Sequence, residues 1–149
     1  MQNIIITGAS HGIGRALTKK LSKKYHIINI DIVENKMDKV DFYKCDLSDK
    51  SKLLKTIEKI KTNIDSLYAL INNAALFSSK SLEKQTLEEW ENIISINLTA
   101  PYILSKEFAS MLKQSKGHII NISSTRASMS ESGTESYSAS KGGISSLTH

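Results

Sequence analysis

The chain has 149 residues, of which 40% are hydrophobic and 23% charged, a composition typical of one folded domain. Its 20 lysines and arginines outnumber 15 aspartates and glutamates, but they are scattered with few aromatic neighbours, which favours a solvated basic surface over nucleic-acid binding. One cysteine excludes an internal disulfide, and the four histidines lack metal-ligand spacing, so we expect no metal.

We expect no signal peptide, because the first predicted strand begins almost at Met1. No apolar run approaches membrane-spanning length. We therefore expect a cytoplasmic protein that does not contact a membrane.

The first predicted strand is the β-branched run at residues 4–6, and helical spacing of apolar residues follows over residues 13–21. Between them lies a glycine-rich turn that contains Gly8, Gly12 and Gly14. Such glycines let the backbone approach a pyrophosphate, which then binds N–H groups at the start of the helix. Glycine-rich turns also occur without a ligand, and this segment alone leaves that alternative open.

The second predicted strand covers residues 26–31 and ends on Asp31, which follows Gly14 by 17 residues. This is near the spacing at which an acid meets the adenosine ribose in a dinucleotide fold. A loop aspartate that starts a turn is the alternative. The glycine turn upstream favours contact with the ribose.

Three further strands are predicted at residues 40–47, 67–71 and 117–124. A helix capped by Ser48 or Asp49 follows the third strand, and the last helix begins near Ser136. Strands that alternate with helices predict an α/β fold of three layers, a doubly wound parallel sheet in the order 3-2-1-4-5. Because the sequence stops soon after the last helix begins, we expect residues 1–149 to form one dinucleotide-binding domain that is incomplete at its C-terminal end.

The longest helical pattern covers residues 86–113 and begins with a Thr86/Glu89 capping box. Its middle is apolar nearly all round, so the helix needs two buried faces, one against the sheet and one elsewhere. A partner subunit is the natural choice for the second. Pro101 has no N–H, so the carbonyl of Asn97, four residues earlier, loses its helical partner and could hold a water. A plain proline kink is the alternative.

Taken together, the motifs resemble the short-chain dehydrogenase/reductase family from Thr7 to the end of the chain. The matching segments are residues 7–14 (TGASHGIG), 46–47 (DL), 72–75 (NNAA) and 137–141 (YSASK), with Asn97 and Ser124 between them. The resemblance implies a Rossmann fold and NAD as the cofactor, NADP being disfavoured by the acid at Asp31. The cofactor-binding residues it implies, with Asp31, are Gly8, Ser10, His11, Gly12, Ile13, Gly14, Asp46, Leu47, Asn73, Ala74, Tyr137 and Lys141.

The catalytic group can also be argued from the residues. Tyr137 and Lys141 are four apart and share one face of a helix. The lysine ammonium favours the phenolate form, so the tyrosine can exchange a proton while a hydride moves between cofactor and substrate. Ser124 lies thirteen residues before Tyr137, the usual separation in the family, and would hydrogen-bond the substrate oxygen. Ser123 would point to the opposite face if the strand continues that far. In the family, Asn97 joins a proton relay through water to the lysine.

Two departures from the family pattern stand out. Ala75 replaces a usual glycine, and Arg126 stands where small apolar residues are more common, so it would face an unusual substrate or a neighbouring subunit. The leading hypothesis is an oxidoreductase that transfers a hydride between NAD(H) and a small alcohol or ketone, as a homodimer or homotetramer. The alternative is a non-catalytic dinucleotide-binding or assembly fragment.

Overall fold

Five parallel strands form a single sheet in the order β3-β2-β1-β4-β5, in a computed structural model that describes residues 1–149. Order and direction confirm the predicted doubly wound architecture. The strands are β1 Asn3–Thr7, β2 His26–Asp31, β3 Val40–Lys44, β4 Ala69–Asn72 and β5 His118–Asn121.

Successive side chains of the central strands point to opposite faces of the sheet and build two separate cores. Ile5 and Leu70 pack with the helices of one face, whereas Ile4 and Ile71 belong to the cluster on the other. No helix is both long enough and apolar enough to cross a membrane. The helices are α1 Gly12–Leu21, α2 Lys50–Asn63, α3 Leu87–Ile94, α4 Ala100–Gln114 and α5 Glu135–Thr148.

Three predicted strands have the wrong limits, and the paired strands explain two of them. The strand predicted at 40–47 ends at Lys44, because its partner β2 ends at Asp31. The strand predicted at 117–124 ends at Asn121, whose partner Asn72 is the last residue of β4. The strand predicted at 67–71 is shifted to Ala69–Asn72. Residues 46–47 and Ser124 therefore lie in loops beyond the carboxyl ends of the strands, where open α/β sheets bind ligands.

The predicted helix at residues 86–113 is divided by a π-helical segment, Ser95–Thr99, between α3 and α4. The capping box at its start is confirmed, since the Thr86 and Glu89 side chains each accept the other's backbone N–H. In the π segment the N–H of Ala100 donates to the carbonyl of Ser95, five residues back. This wider turn carries the helix past Pro101, which cannot donate and would crowd a regular helix.

Candidate cofactor and active site

The turn between β1 and α1 requires glycine at three positions. Gly8 and Gly12 have φ of +66° and +50°, in the left-handed region that side chains disfavour. At Gly14 an added Cβ would overlap the carbonyl oxygen of Gly8 and lie 2.6 Å from Asn73 Nδ2. The helix therefore packs directly on the turn, a close contact that only glycine permits at this position.

Side chains at the end of β2 hold this turn in place. Asp31 accepts the backbone N–H groups of Ser10, at 3.0 Å, and of Ile32, at 2.7 Å. Ser10 is completely buried; its hydroxyl donates to the carbonyl of Val33 and accepts from Asn29 Nδ2 at 3.0 Å. The hydroxyl of Ser10 thus shapes the turn and does not border the cleft beside it. Sequence reasoning missed Asn29, although a polar residue inside an apolar strand was a usable signal.

A cleft of about 570 Å³ runs along the carboxyl ends of the strands. Most of the residues predicted to bind the cofactor line this cleft. The exceptions are Ser10, Gly14, Tyr137 and Lys141. Apolar side chains from Cys45, Leu76 and Ile96 complete its walls. The predicted residues that line it are Gly8, His11, Gly12, Ile13, Asp31, Asp46, Leu47, Asn73 and Ala74.

The polar groups of the loops after β3 and β4 are fixed before any ligand binds. Asn73 Nδ2 donates to the carbonyl oxygens of Thr7 and Gly8, at 2.9 and 3.1 Å. Asp46 Oδ1 accepts the N–H and the hydroxyl of Ser48, at 2.9 and 2.7 Å. The cleft therefore presents a prearranged rim, and its glycine floor and apolar walls fit an adenine dinucleotide.

Lys141 lies buried beside Tyr137 and is only 3% exposed. Its Nζ donates to the carbonyl of Ile122 at 2.6 Å and lies 5.7 Å from the centre of the Tyr137 ring. It forms no ion pair, and burial lowers the pKa of Lys141 from its ordinary value of 10.5. The half-buried Tyr137 ring meets Phe77 edge to face at 5.0 Å between ring centres. The Lys141 ammonium thus lies near the tyrosine ring without a competing carboxylate, and its hydrogen bond goes to the backbone of Ile122.

Asn97 is 1% exposed and joins three elements through its side chain. Its Oδ1 accepts the N–H of Leu76 at 2.7 Å, and its Nδ2 donates to the carbonyl of Leu76 and to Ser140 Oγ, at 2.9 and 3.0 Å. Ser140 in turn donates to the carbonyl of Tyr137 at 2.7 Å. The π segment is therefore tied to the helix that carries the tyrosine. Sequence analysis did not single out Ser140, because nothing distinguished it from the other serines of that helix.

The two serines after β5 have different partners. Ser123 Oγ contacts Ser145 Oγ, at 3.1 Å, on α5, whereas Ser124 Oγ accepts the N–H of Arg126 at 3.2 Å and caps the short 3₁₀ helix Thr125–Ala127. The guanidinium of Arg126 forms an ion pair with Glu131 within its own loop. Because β5 ends at Asn121, strand alternation does not set the directions of these two serines, which instead have separate hydrogen-bond partners.

The parallel sheet, the glycine turn and the cleft across the strand ends together define a nucleotide-binding α/β protein. The chain belongs to the short-chain dehydrogenase family, whose model matches residues 2–149. An uncharacterized oxidoreductase of Thermotoga maritima is 41% identical over 97% of this chain, and the chain spans 62% of that relative's length. 4-Hydroxyisoleucine dehydrogenase complexed with NADH and succinate has a TM-score of 0.91 at 32% identity, with 97% of this chain and 69% of that one covered. A metagenomic short-chain oxidoreductase in complex with NADP has a TM-score of 0.88 at 29% identity, with 98% and 71% covered.

Proposed function

We propose that residues 1–149 form one NAD(P)-binding Rossmann domain and that the protein is an NAD-dependent dehydrogenase or reductase of small alcohols and ketones. The observation that carries the proposal is the buried ammonium of Lys141, unpaired with any carboxylate, 5.7 Å from the ring centre of Tyr137. Burying a charge in this way is costly. A function that uses the charge explains why the chain accepts that cost.

The preference for NAD(H) rests on Asp31, which borders the cleft with a carboxylate held by backbone N–H groups. Such a carboxylate can accept hydrogen bonds from a ribose diol but repels a 2′-phosphate. One solved relative is complexed with NADH and another with NADP, so the support for NAD(H) in this chain comes from Asp31 alone.

Calorimetry with the purified protein tests the preference. We expect NADH to bind at least about tenfold more tightly than NADPH, because juxtaposed like charges are costly. Asp31→Ala should narrow the gap, whereas Glu34→Ala, an exposed acid outside the cleft, should leave it unchanged. Equal affinities in the wild-type protein would contradict the proposal.

In the proposed reaction the bound dinucleotide supplies or accepts the hydride. Tyr137 Oη transfers the proton to or from the substrate oxygen, and Lys141 stabilises the phenolate that remains. Ser124 Oγ donates a hydrogen bond to the same oxygen. Asn97 keeps the tyrosine helix in register through Ser140, and its backbone is the proposed start of a water relay to Lys141.

The catalytic assignment is tested by measuring turnover and cofactor affinity together. Tyr137→Phe should lower kcat by at least about a hundredfold, the usual contribution of a general acid or base, and leave the Kd for NADH close to wild type. Ser124→Ala should lower kcat strongly, and the control Ser123→Ala far less. Wild-type protein that binds NADH but reduces no ketone and oxidises no alcohol would favour the alternative, a non-catalytic dinucleotide-binding protein.

We further propose that the protein is a homodimer or homotetramer assembled through the π segment, α4 and α5. A shallow groove there is lined by Leu98, Tyr102 and Leu147, and Tyr102 is 52% exposed on a long helix. Exposed apolar surface of this kind marks an interaction site. Sedimentation should show at least a dimer, and Tyr102→Glu should shift it towards monomer; a wild-type monomer would contradict the assembly.

A further inference from the structure

The loop after β4 carries an aromatic ring to the tyrosine of the proposed site. The Phe77 ring meets the Tyr137 ring edge to face, with 5.0 Å between the ring centres and 81° between the planes, a geometry that aromatic pairs prefer. Phe77 is nevertheless 57% exposed, so the contact covers only part of its ring. Apolar surface therefore remains free directly beside the group proposed to transfer the proton.

The position of this ring is fixed by the residue before it. The buried side chain of Asn97 accepts the N–H of Leu76 at 2.7 Å and donates to the carbonyl of Leu76 at 2.9 Å. The same amide donates to Ser140, on the helix that carries Tyr137. One buried amide thus holds both sides of the aromatic contact, and a satisfied buried network of this kind is rigid.

Phe77 also lies at the junction of two groups that a substrate has to reach together. Leu76, its neighbour in sequence, lines the cofactor cleft, whereas Phe77 itself contacts Tyr137. In a hydride transfer the cofactor must approach the carbon of the substrate while the tyrosine reaches the oxygen bound to that carbon. A substrate that meets both conditions brings a substituent of this carbon against the free part of the Phe77 ring.

We propose that Phe77 contacts a substituent of the reacting carbon and makes the protein selective for alcohols and ketones that carry an aryl group there. The inference rests on the proposed dehydrogenase function. An aryl group buries more apolar surface against the ring than a methyl group and can form an aromatic pair with it. A carboxylate substituent is disfavoured, because Arg126, whose backbone N–H binds Ser124, has its guanidinium already paired with Glu131.

The experiment compares kcat/KM for 1-phenylethanol and for 2-propanol with NAD⁺ as the cofactor. The two alcohols differ in one substituent of the reacting carbon, which is phenyl in the first and methyl in the second. We expect the wild-type protein to favour 1-phenylethanol by at least about tenfold, and Phe77→Ala to reduce that ratio by about fivefold, the value of an aromatic contact. Any loss of Tyr137 orientation in the variant affects both alcohols alike and cancels in the ratio.

The matched control is Leu82→Ala, because Leu82 is an apolar residue of the same loop that is 71% exposed and lies outside the cleft; this variant should keep the wild-type ratio. Since Phe77 is largely exposed, its truncation should leave the circular dichroism spectrum and the Kd for NADH unchanged. An unchanged ratio in Phe77→Ala, or a wild-type protein with no preference for 1-phenylethanol, would overturn the assignment of Phe77 while leaving the dehydrogenase function intact. A wild-type protein that binds NADH but oxidises neither alcohol would overturn the proposed function and this inference with it.

Discussion

Replacement of Gly14 by alanine should destabilise the fold, although alanine is the better helix former. An alanine Cβ at this position would lie 2.6 Å from Asn73 Nδ2 and 2.9 Å from the carbonyl carbon of Gly8. Ordinary contact begins near 3.4 Å, so the Asn73 amide would have to retreat by about 0.8 Å. That movement breaks its hydrogen bonds to the carbonyls of Thr7 and Gly8.

The magnitude follows from three terms. Overpacking costs about 1–3 kcal/mol, and the two lost hydrogen bonds about 1 kcal/mol each, whereas the change from glycine to alanine in a helix returns about 1 kcal/mol. We expect a net loss of about 2–4 kcal/mol, which lowers Tm by about 5–15 °C in a chain of this size. Binding of NADH should also weaken, since the displaced turn is the one proposed to contact the pyrophosphate.

Two other glycines in helices provide matched controls. At Gly142 an added Cβ meets only the carbonyl oxygen of Ala127, at 3.7 Å, so Gly142→Ala should stabilise the protein by about 0.5–1 kcal/mol. At Gly143 it meets the flexible side chain of Leu98 at 2.7 Å, so the effect of that substitution should fall between the other two. Urea unfolding followed by circular dichroism measures all three. If the three substitutions had the same effect, or if Gly14→Ala stabilised the protein, the contact argument would be refuted.

Three further results are expected. Thr86→Ala removes half of the capping box and should lower the free energy of unfolding, measured with urea, by about 1 kcal/mol. Thr62→Ala, near the end of α2, should lower it by less. Equal losses in the two variants would argue against the cap. Lys141→Met should be more stable than wild type at neutral pH, and this difference should shrink as the pH approaches 10.5. Burial lowers the pKa of Lys141, so the folded wild-type protein loses the buried charge, and its cost in stability, as the pH rises through that lowered pKa. A stability difference that is constant with pH would show that the lysine charge is not penalised in the fold. Ser140→Ala should lower kcat with little change in the Kd for NADH, since it releases Asn97 from the tyrosine helix; a change in Kd alone would contradict that role.

Local sequence determined the elements whose cause is local. The apolar run of β1 ends at Gly8, where the observed strand ends at Thr7, and β2 has its predicted limits because Asp31 closes an apolar stretch. The Thr86 cap depends only on residues three positions apart. The strand order follows from alternating strands and helices, since right-handed crossovers leave few topologies.

The limits of β3 and β5 were decided by tertiary structure, because a strand ends where its neighbour stops supplying hydrogen bonds. The π segment likewise depends on more than Pro101, since the side chain of Asn97 is held by Leu76 and Ser140 from two other parts of the chain.

The hydrogen-bond partners of the polar groups around the cleft were also decided by tertiary structure. Sequence patterns marked Ser10 as part of the turn, but only the packing of β2 against that turn buries its hydroxyl on Asn29 and Val33. Hydrogen-bond partners distant in sequence are set by the packing of whole elements, and no local pattern encodes them.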